Sequence, residues 1–352
     1  MESTAIQVDE MEVRSVEGRP LTDAVAVVAG ATRGAGRGIA EALGEAGAIV
    51  YCTGRSTRRR PSPYGRPETI EETAERINAA GGKAIAVRVD HTVEPEVEAL
   101  FERVEREHGR LDVLVNSIAG EDPMMTGGSP FWSADMTKAA TLIQNAVVSR
   151  MITAKHGGRL MVRRRRGLIV EVTENDLLLS SGDIVAQIVR FAHKALAVLY
   201  ATELREHGVA AIAIIPGFLR SERVLEHFGV TEQNWREAGK KDRNFLESES
   251  PRFVGRAIVA LTLDLAILER TGQLVSSWEV AREHGLTDVD GRRPDWGALD
   301  VDYSQVPRSV IEVMRDGLRV QDAWLDVLAR RTREFETRFL KQTAALLEAV
   351  GN

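Results

Sequence analysis

The chain has 352 residues, 43% of them hydrophobic, and a formal net charge of −6. This size and composition predict a folded protein with a sizeable core, and the acidic balance argues against a general nucleic-acid-binding protein. No uninterrupted apolar stretch approaches the about 18 to 20 residues of a membrane helix, and the N-terminus lacks a basic and then apolar signal sequence, so we expect a cytoplasmic protein without a membrane partner.

Residues 29–36 (AGATRGAG) form a glycine-rich turn between the β-branched run 25–29 and an Ala- and Leu-rich helix pattern. Such a turn binds a pyrophosphate, because glycines let backbone N–H groups and the positive end of the helix approach the phosphates. Gly36 or Gly38 also lets the helix lie close to the strand. The alternative is an ordinary glycine-rich βα turn. The predicted cofactor contacts in the turn are Gly30, Thr32, Arg33, Gly34 and Gly36.

The second predicted strand, residues 48–53, contains the one cysteine of the chain, Cys52, and ends before Arg55 and Ser56. No potential ligands lie near Cys52, so we predict a buried packing residue and no metal site. Folds that select NAD place a carboxylate just after this strand to bond the ribose hydroxyls, whereas a basic residue receives the 2′-phosphate of NADP. Arg55, with Arg33 in the turn, therefore predicts NADP(H) as the cofactor, contacted also by Ser56.

The chain continues as alternating strand and helix patterns. Further strands are predicted at 84–90, 111–115, 167–173, 209–215 and 272–277. Helices are predicted at about 35–46, from 68–73 onward, at 94–108, within 123–158, and at 184–206 and 252–268. This alternation is typical of a Rossmann-type α/β fold, a doubly wound parallel sheet of about seven strands with helices on both faces, whose ligands bind beyond the carboxyl ends of the strands.

Two of these strand ends carry further predicted cofactor contacts. Asp90, which closes the third strand, is expected either to bond the adenine amine or to cap the next turn. Asn116 and Ala119 follow the fourth strand, where small residues let a ribose pass close to the backbone.

Residues 23 to about 280 resemble the short-chain dehydrogenase/reductase family. Residues 29–36 are similar to its TGxxxGxG turn, and residues 116–120 (NSIAG) are similar to its NNAG segment. Residues 203–209, followed by the Pro-Gly pair at 216–217, resemble the end of its active-site helix, its sixth strand and its PG turn.

The resemblance implies a nicotinamide cofactor, a small-molecule substrate and a homodimer or homotetramer. It also implies cofactor contacts from Pro216, Gly217 and Ser221, because Ser221 falls where the family often has a threonine that bonds the nicotinamide carboxamide.

The resemblance ends at the catalytic residues. Counted back without gaps from the His-Gly pair at 207–208, the family's YxxxK tyrosine and lysine fall on Ala186 and Arg190. In the family the tyrosine is the acid or base at the substrate oxygen, and the lysine binds the nicotinamide ribose. Alanine has no proton to give, whereas arginine can bond the ribose but cannot relay protons as an ammonium does. A register shifted by four residues makes His193 and Lys194 the catalytic pair instead.

The candidates for proton transfer are Glu174, Asp176, His193, Glu121 and Asp122. We favour Glu174, because packing against the leucines at 177–179 would raise its pKa toward a useful range. Thr173 or Glu174 falls at the family's catalytic serine, and Asn145 lies near its helix asparagine. The alternatives are surface residues, helix caps and, for His193, a packed helix histidine.

The C-terminal part of the chain adds two further segments. Residues 222–250 are charged and irregular and are predicted to be a mobile lid, and residues 280–306 are predicted to be rich in loops. About residues 309–350 are predicted to be helical, with an apolar stripe that packs on its own domain or on a second subunit. The stripe consists of Leu325, Leu328, Phe335, Phe339, Leu346 and Val350. The predicted division is an N-terminal extension (1–22), a dinucleotide-binding domain (23–280) and a C-terminal extension (281–352).

The sequence favours an NADP(H)-dependent oxidoreductase that acts on a carbonyl or enone of a small organic substrate with a non-standard proton donor. Replacement of both the tyrosine and the lysine favours an alternative, a non-redox step such as a cyclisation, dehydration or isomerisation in specialised biosynthesis. A catalytically silent NADP-binding module is the third hypothesis.

Overall fold

Seven strands form one parallel sheet in the computed structural model, which describes residues 18–118, 131–174 and 184–299. The strands are Val25–Ala29 (β1), Ile49–Gly54 (β2), Lys83–Arg88 (β3), Val113–Asn116 (β4), Gly167–Val172 (β5), Val209–Ile215 (β6) and Leu274–Ser276 (β7). Their order across the sheet is β3-β2-β1-β4-β5-β6-β7. The predicted doubly wound fold is confirmed, and the carboxyl ends of its strands share one edge.

Helices cover both faces of this sheet. They are Gly34–Glu45 (α1), Ile70–Ala79 (α2), Glu94–His108 (α3), Met136–Ile143 (α4), Ser149–Arg164 (α5), Ile184–Leu204 (α6), Glu222–Phe228 (α7), Pro251–Leu263 (α8) and Ser277–His284 (α9). Local signals set several of their ends: the Thr69 side chain caps α2, Gly109 ends α3 in the left-handed region, and Ser276 and Glu279 form a capping box at α9.

Alternating residues of the strands pack into two hydrophobic layers, one on each face of the sheet. In β1, Ala26 and Val28 pack with residues of α1 and α8, whereas Val25 and Val27 face the layer of α3, α5 and α6. All five residues of β1 are buried, as expected for a central strand covered on both sides. Cys52 is also buried, as predicted, and burial raises the pKa of its thiol to about 12.

Helix α6 is unusually apolar. By length and composition the segment Ile184–His207 is able to cross a membrane, although the sequence has no uninterrupted apolar run of that size. In the fold it packs on β5 and β6 and buries seven residues. We therefore interpret it as a layer helix of the sheet.

The structure differs from the sequence prediction at two places outside the sheet. The helix predicted within 123–158 consists of α4 and α5, joined by a wider turn of π-helix over Gln144–Val148. Part of the loop-rich region is helical, because α9 begins at Ser277, where a strand was predicted to end. Residues 1–17 and 300–352, including the apolar stripe, lie outside the described residues.

Residues 222–250 contain more order than their charged composition predicts. Phe228, Trp235 and Phe245 form a small aromatic core in this segment. The guanidinium of Arg220 stacks on Trp235 at 4.4 Å and pairs with the buried carboxylate of Asp288 at 3.1 Å. These contacts anchor the segment to the chain beyond α9; its mobility stays a prediction.

Two glycines allow α1 and α8 to pack in backbone contact. A Cβ on Gly38 would lie 2.1 Å from the carbonyl carbon of Pro251, and a Cβ on Gly255 would lie 2.8 Å from the carbonyl oxygen of Gly38. Gly38 therefore allows α1 to pack closely against α8. The prediction that it brings α1 close to the strand is wrong for Gly38.

We expect Gly38→Ala to lower the free energy of unfolding by about 1 to 3 kcal/mol, because the added methyl meets backbone and forces the helices apart. The matched control is Gly158→Ala in α5, where the nearest atom to the new Cβ is 4.0 Å away. There the better helix propensity should raise stability by about 0.5 to 1 kcal/mol. Urea unfolding of both variants checks the difference; equal midpoints would contradict the packing described.

Candidate active site

A cleft lies at the carboxyl edge of the sheet, where the segments that follow the first four strands meet. It brings together several residues predicted to bind the cofactor, and the Pro-rich segment closes one side of it. The lining residues are Gly30, Thr32, Arg33, Gly54, Arg55, Ser56, Ser62, Pro63, Tyr64, Val89, Asp90, His91, Thr92, Ser117, Ile118, Asn145 and Ser149. Asn145 reaches the cleft from the π-helical turn before α5.

The glycine turn brings three chain segments into backbone contact. Gly30 has φ +90°, and a Cβ there would lie 2.3 Å from the carbonyl oxygen of Ser117. A Cβ on Gly36 would lie 2.1 Å from the carbonyl oxygen of Gly30. The turn therefore lies between the segment after β4 and the first turn of α1, with the Gly30 and Ala31 N–H groups bonded to the carbonyl oxygen of Thr53.

Glu222 occupies the N-terminus of α1. The Gly34 N–H donates to its carboxylate at 2.8 Å, and Arg37 pairs with the same carboxylate at 3.2 Å. Arg37 is itself buried and also pairs with Glu72 of α2 at 2.9 Å. Sequence analysis missed this cluster, because its members are far apart in the chain.

Two arginines place positive charge along the cleft. The Arg33 side chain pairs with no carboxylate of the described residues, and Arg55 lies 3.5 Å from the Tyr64 hydroxyl. Asp90 faces the same cleft while its Oδ1 accepts bonds from the Thr92 N–H and hydroxyl. Burial by itself raises the pKa of Asp90, but the Thr92 bonds and the charge of Arg55 lower it overall. Asp90 is thus both a turn residue and part of the cleft.

His91 is a buried residue of the cleft that sequence analysis missed. Its ring nitrogens lie 2.9 Å from Thr53 Oγ1 and 2.8 Å from Thr153 Oγ1. Burial lowers the pKa of His91 to about 4, so the imidazole is neutral at physiological pH. It joins the end of β2 to α5.

Asn116 turns its side chain into the sheet. Its amide is completely buried and donates to the Glu171 carboxylate at 2.6 Å. Ser117 and Ile118, the next two residues, line the cleft in place of the Asn116 side chain. Ala119, Glu121, Asp122 and Asp176 lie outside the described residues.

Two of the predicted catalytic residues, Glu174 and Arg190, form an ion pair beyond the end of β5, where Thr173 precedes Glu174 in the chain. Glu174 Oε2 lies 2.7 Å from an Arg190 guanidinium nitrogen and 2.8 Å from its Nε. The predicted burial of Glu174 is wrong, because its side chain is 58% exposed and ion-paired. Thr173 is buried, and Ala186 lies in the buried face of α6. The leucines at 177–179 lie outside the described residues.

His193 has a structural role. Its Nε2 lies 2.9 Å from the carbonyl oxygen of Ala146, to which it donates, and burial lowers its pKa well below the usual value. The neutral ring braces the π-helical turn from inside. The catalytic role of His193 and the shifted register stay predictions that this bond and this burial do not favour.

The Pro-Gly turn after β6 rests on a buried carboxyl group. Pro216 is buried, and Gly217 lies so close to Glu249 that a Cβ there would be 2.9 Å from its Oε2. The same oxygen accepts a bond from the Ser277 hydroxyl at 2.7 Å. Burial raises the pKa of Glu249 to about 8. Ser221 lies just before α7, where a Cβ on Gly34 would be 3.7 Å from its Cβ.

Comparisons with known proteins agree with this geometry. The sequence profile described as short chain dehydrogenase matches residues 24–228. Dehydrogenase/reductase SDR family member 1 from Mus musculus is 36% identical over 292 residues, which cover 82% of this chain and 90% of the mouse protein. The protein of the same name from Homo sapiens is 35% identical, over 78% of this chain and 85% of its own.

Among solved structures, a short chain dehydrogenase from Mycobacterium thermoresistibile matches with a TM-score of 0.64 and 20% identity, covering 79% of this chain and 92% of that one. This match supports the fold. Because the family profile spans more than half of the chain and the mouse protein is similar over most of it, the chain belongs to the short-chain dehydrogenase/reductase family of oxidoreductases.

Proposed function

We propose that this protein is an NADP(H)-dependent oxidoreductase that acts on a carbonyl or enone of a small organic substrate. The observation that carries the proposal is the presence of Arg33 and Arg55 on the cleft that also contains the glycine turn. Members of this family bind a nicotinamide cofactor, and the two guanidinium groups suit a cofactor with a third phosphate group.

The residues of the cleft fit a dinucleotide. The turn at Gly30 has no room for a side chain and leads directly into the positive N-terminus of α1, which suits a pyrophosphate. Ser56 and Asp90 line the cleft beside Arg55, where they suit the adenosine half. When bound, the cofactor supplies or accepts the hydride.

Glu174 is our proposed proton-transfer residue. In reduction a hydride adds to the carbonyl carbon and a proton adds to its oxygen, so a group beside that oxygen must give one. Glu174 lies beyond β5, is accessible, and is held by Arg190 at 2.7 Å. Ala186, at the position of the family's tyrosine in the ungapped register, has no proton to give.

A non-redox reaction is the second candidate, and the Glu174–Arg190 ion pair favours it. An accessible carboxylate that a guanidinium holds in place can act as a general base. Proton abstraction next to a carbonyl, as in an isomerisation or dehydration, uses such a base without net turnover of the cofactor.

We expect the wild-type protein to bind NADPH more tightly than NADH, and Arg55→Asp to weaken NADPH binding by about 10- to 100-fold, the cost of a lost charge-assisted hydrogen bond. Titration followed by fluorescence measures both affinities. Arg59→Asp is the matched control, because Arg59 is exposed on the same loop and does not line the cleft. The NADP(H) proposal would be contradicted if neither nucleotide binds, or if the two variants weaken NADPH binding equally.

Glu174→Gln should lower kcat by about 100-fold or more, since a general acid or base contributes that much, while NADPH affinity stays near wild type. Aldehydes, ketones and enones are screened for substrate-dependent loss of NADPH absorbance to obtain the assay. Glu206→Gln is the control, as Glu206 is 80% exposed in the turn after α6. Wild-type kcat in Glu174→Gln would exclude Glu174 from the chemistry. A product formed without loss of NADPH absorbance favours the non-redox reaction.

We also propose that two copies of the chain pair through α6. The outward face of this helix is apolar, and a groove of about 890 Å³ lies beside it, lined by Met151, Leu196 and Leu199 among others. The apolar side chains of α6 project beside this groove. Under a two-fold axis the side chains of each copy would fill the groove of the other, so the surface suits a second copy of this chain. The exposed apolar residues of the face are Ile184, Ile188, Phe191, Val198 and Leu199, with Met151 of α5.

Wild-type protein should therefore have about twice the 38.7 kDa mass of one chain, or a higher even multiple, in light scattering after gel filtration. Leu199→Glu should shift the mass toward one chain, because it places a charge in the proposed contact. Leu265→Glu changes a fully exposed leucine elsewhere and should leave the mass unchanged. A monomeric wild type would show that this face has another role.

A further inference from the structure

A carboxylate is buried in the middle of the sheet. Glu171 of β5 stands opposite Asn116 of β4 in the parallel register, and neither side chain is exposed. A charged group in such a place is unfavourable unless it is paired and hydrogen-bonded. Burial accordingly raises the pKa of Glu171, while Arg150 and Asn116 act in the opposite direction.

Arg150 of α5 supplies the opposite charge. Its NH1 lies 3.0 Å from Glu171 Oε2, and the Asn116 amide donates to the other carboxylate oxygen at 2.6 Å. The Arg150 side chain is only 4% exposed. Removal of the guanidinium alone would leave an uncompensated charge inside the sheet.

The same guanidinium also bonds to the backbone where β4 and β5 end. NH1 donates to the carbonyl oxygens of Asn116 at 3.0 Å and Val172 at 2.8 Å, and NH2 donates to that of Ile118 at 2.9 Å. At Ile118 and Val172 the regular ladder between β4 and β5 is finished. One side chain therefore fixes the spacing of two segments that no longer bond to each other as strands, although Ser117 still bonds to β1 and Thr173 to β6.

Both segments lead into the candidate active site. The first contains Ser117, whose carbonyl oxygen is the backbone contact of Gly30, and Ile118, which lines the cleft. The second continues from Val172 into Thr173 and Glu174. A displacement at either carbonyl would move the floor of the cleft relative to the proposed proton-transfer group.

We propose that Arg150 is a positioning residue of the active site and that Glu171 holds its guanidinium in place. This proposal deepens the proposed function and, for its effect on cofactor binding, rests on it. A planar fork with several N–H groups reaches three carbonyls and a carboxylate at once, whereas a lysine ammonium keeps the charge but not this geometry. An apolar pair of residues often stabilises a core as well as a buried ion pair does, so stability alone does not explain why Arg150 and Glu171 are present. Their role in holding the backbone carbonyls in place explains them better.

Arg150→Lys is the first test. It keeps Glu171 neutralised, so the melting temperature should stay close to wild type, whereas NADPH affinity should fall about 10-fold or more because the cleft floor is misplaced. Amide hydrogen exchange provides a readout without cofactor. Peptides that cover residues 113–118 and 167–174 should exchange faster than in wild type, while a peptide over residues 49–54 should be unchanged.

A second variant guards against a simple loss of folding. Arg150→Met/Glu171→Gln removes both charges and retains an acceptor for the Asn116 amide, so it should be more stable than Arg150→Met alone. It should nevertheless show the weak NADPH binding and the fast exchange of Arg150→Lys.

The outcomes separate this inference from the proposed function. Wild-type NADPH affinity and wild-type exchange in both variants would overturn the positioning role. Failure of the wild-type protein to bind NADPH, together with faster exchange of the two segments in the variants, would overturn the cofactor assignment and support the positioning role. Unchanged exchange in that case would overturn both.

Discussion

The backbone contact between Gly30 and Ser117 is the constraint on which the cleft depends. Because no side chain separates them, the turn after β1 and the segment after β4 lie one backbone apart, and Gly36 brings the first turn of α1 equally close. The glycine turn, the positive end of the helix and the side chains beyond β2 and β3 then share one small space. The side chains that line this space determine its chemistry, whereas the glycines make the space possible.

Polar residues inside the protein support that arrangement from behind. His91 holds the end of β2 to α5, Arg150 holds the ends of β4 and β5, and Glu249 supports the turn after β6. Each group is buried and bonded to a segment of the candidate active site. Buried polar groups of this kind contribute little net stability but define where neighbouring backbone lies. The accessible groups Arg55 and Glu174 are therefore presented by a fixed frame.

The fold could be predicted in detail from the sequence because its signals are local. The β-branched runs gave the strands β1 and β6 with their observed bounds, and the spacing of glycines placed the turn. The supporting residues could not be found this way. Arg37, Arg150 and Glu249 bond to residues that lie 21 to 185 positions away, so no window of sequence contains both partners. The bond of His193 could not be found for the same reason, because its partner, Ala146, lies on another helix.

The carboxylate of Glu222 joins two parts of the molecule that otherwise have separate roles. It accepts the N–H of Gly34 at the glycine turn and also begins α7, the first element of the segment 222–250. Thermodynamic linkage makes such a connection reciprocal. An anion that binds at the turn in place of this carboxylate breaks its contact with Gly34. The free energy by which the intact contact weakens anion binding equals the free energy by which the bound anion destabilises the position of α7. The order of α7 thus depends on what the glycine turn holds.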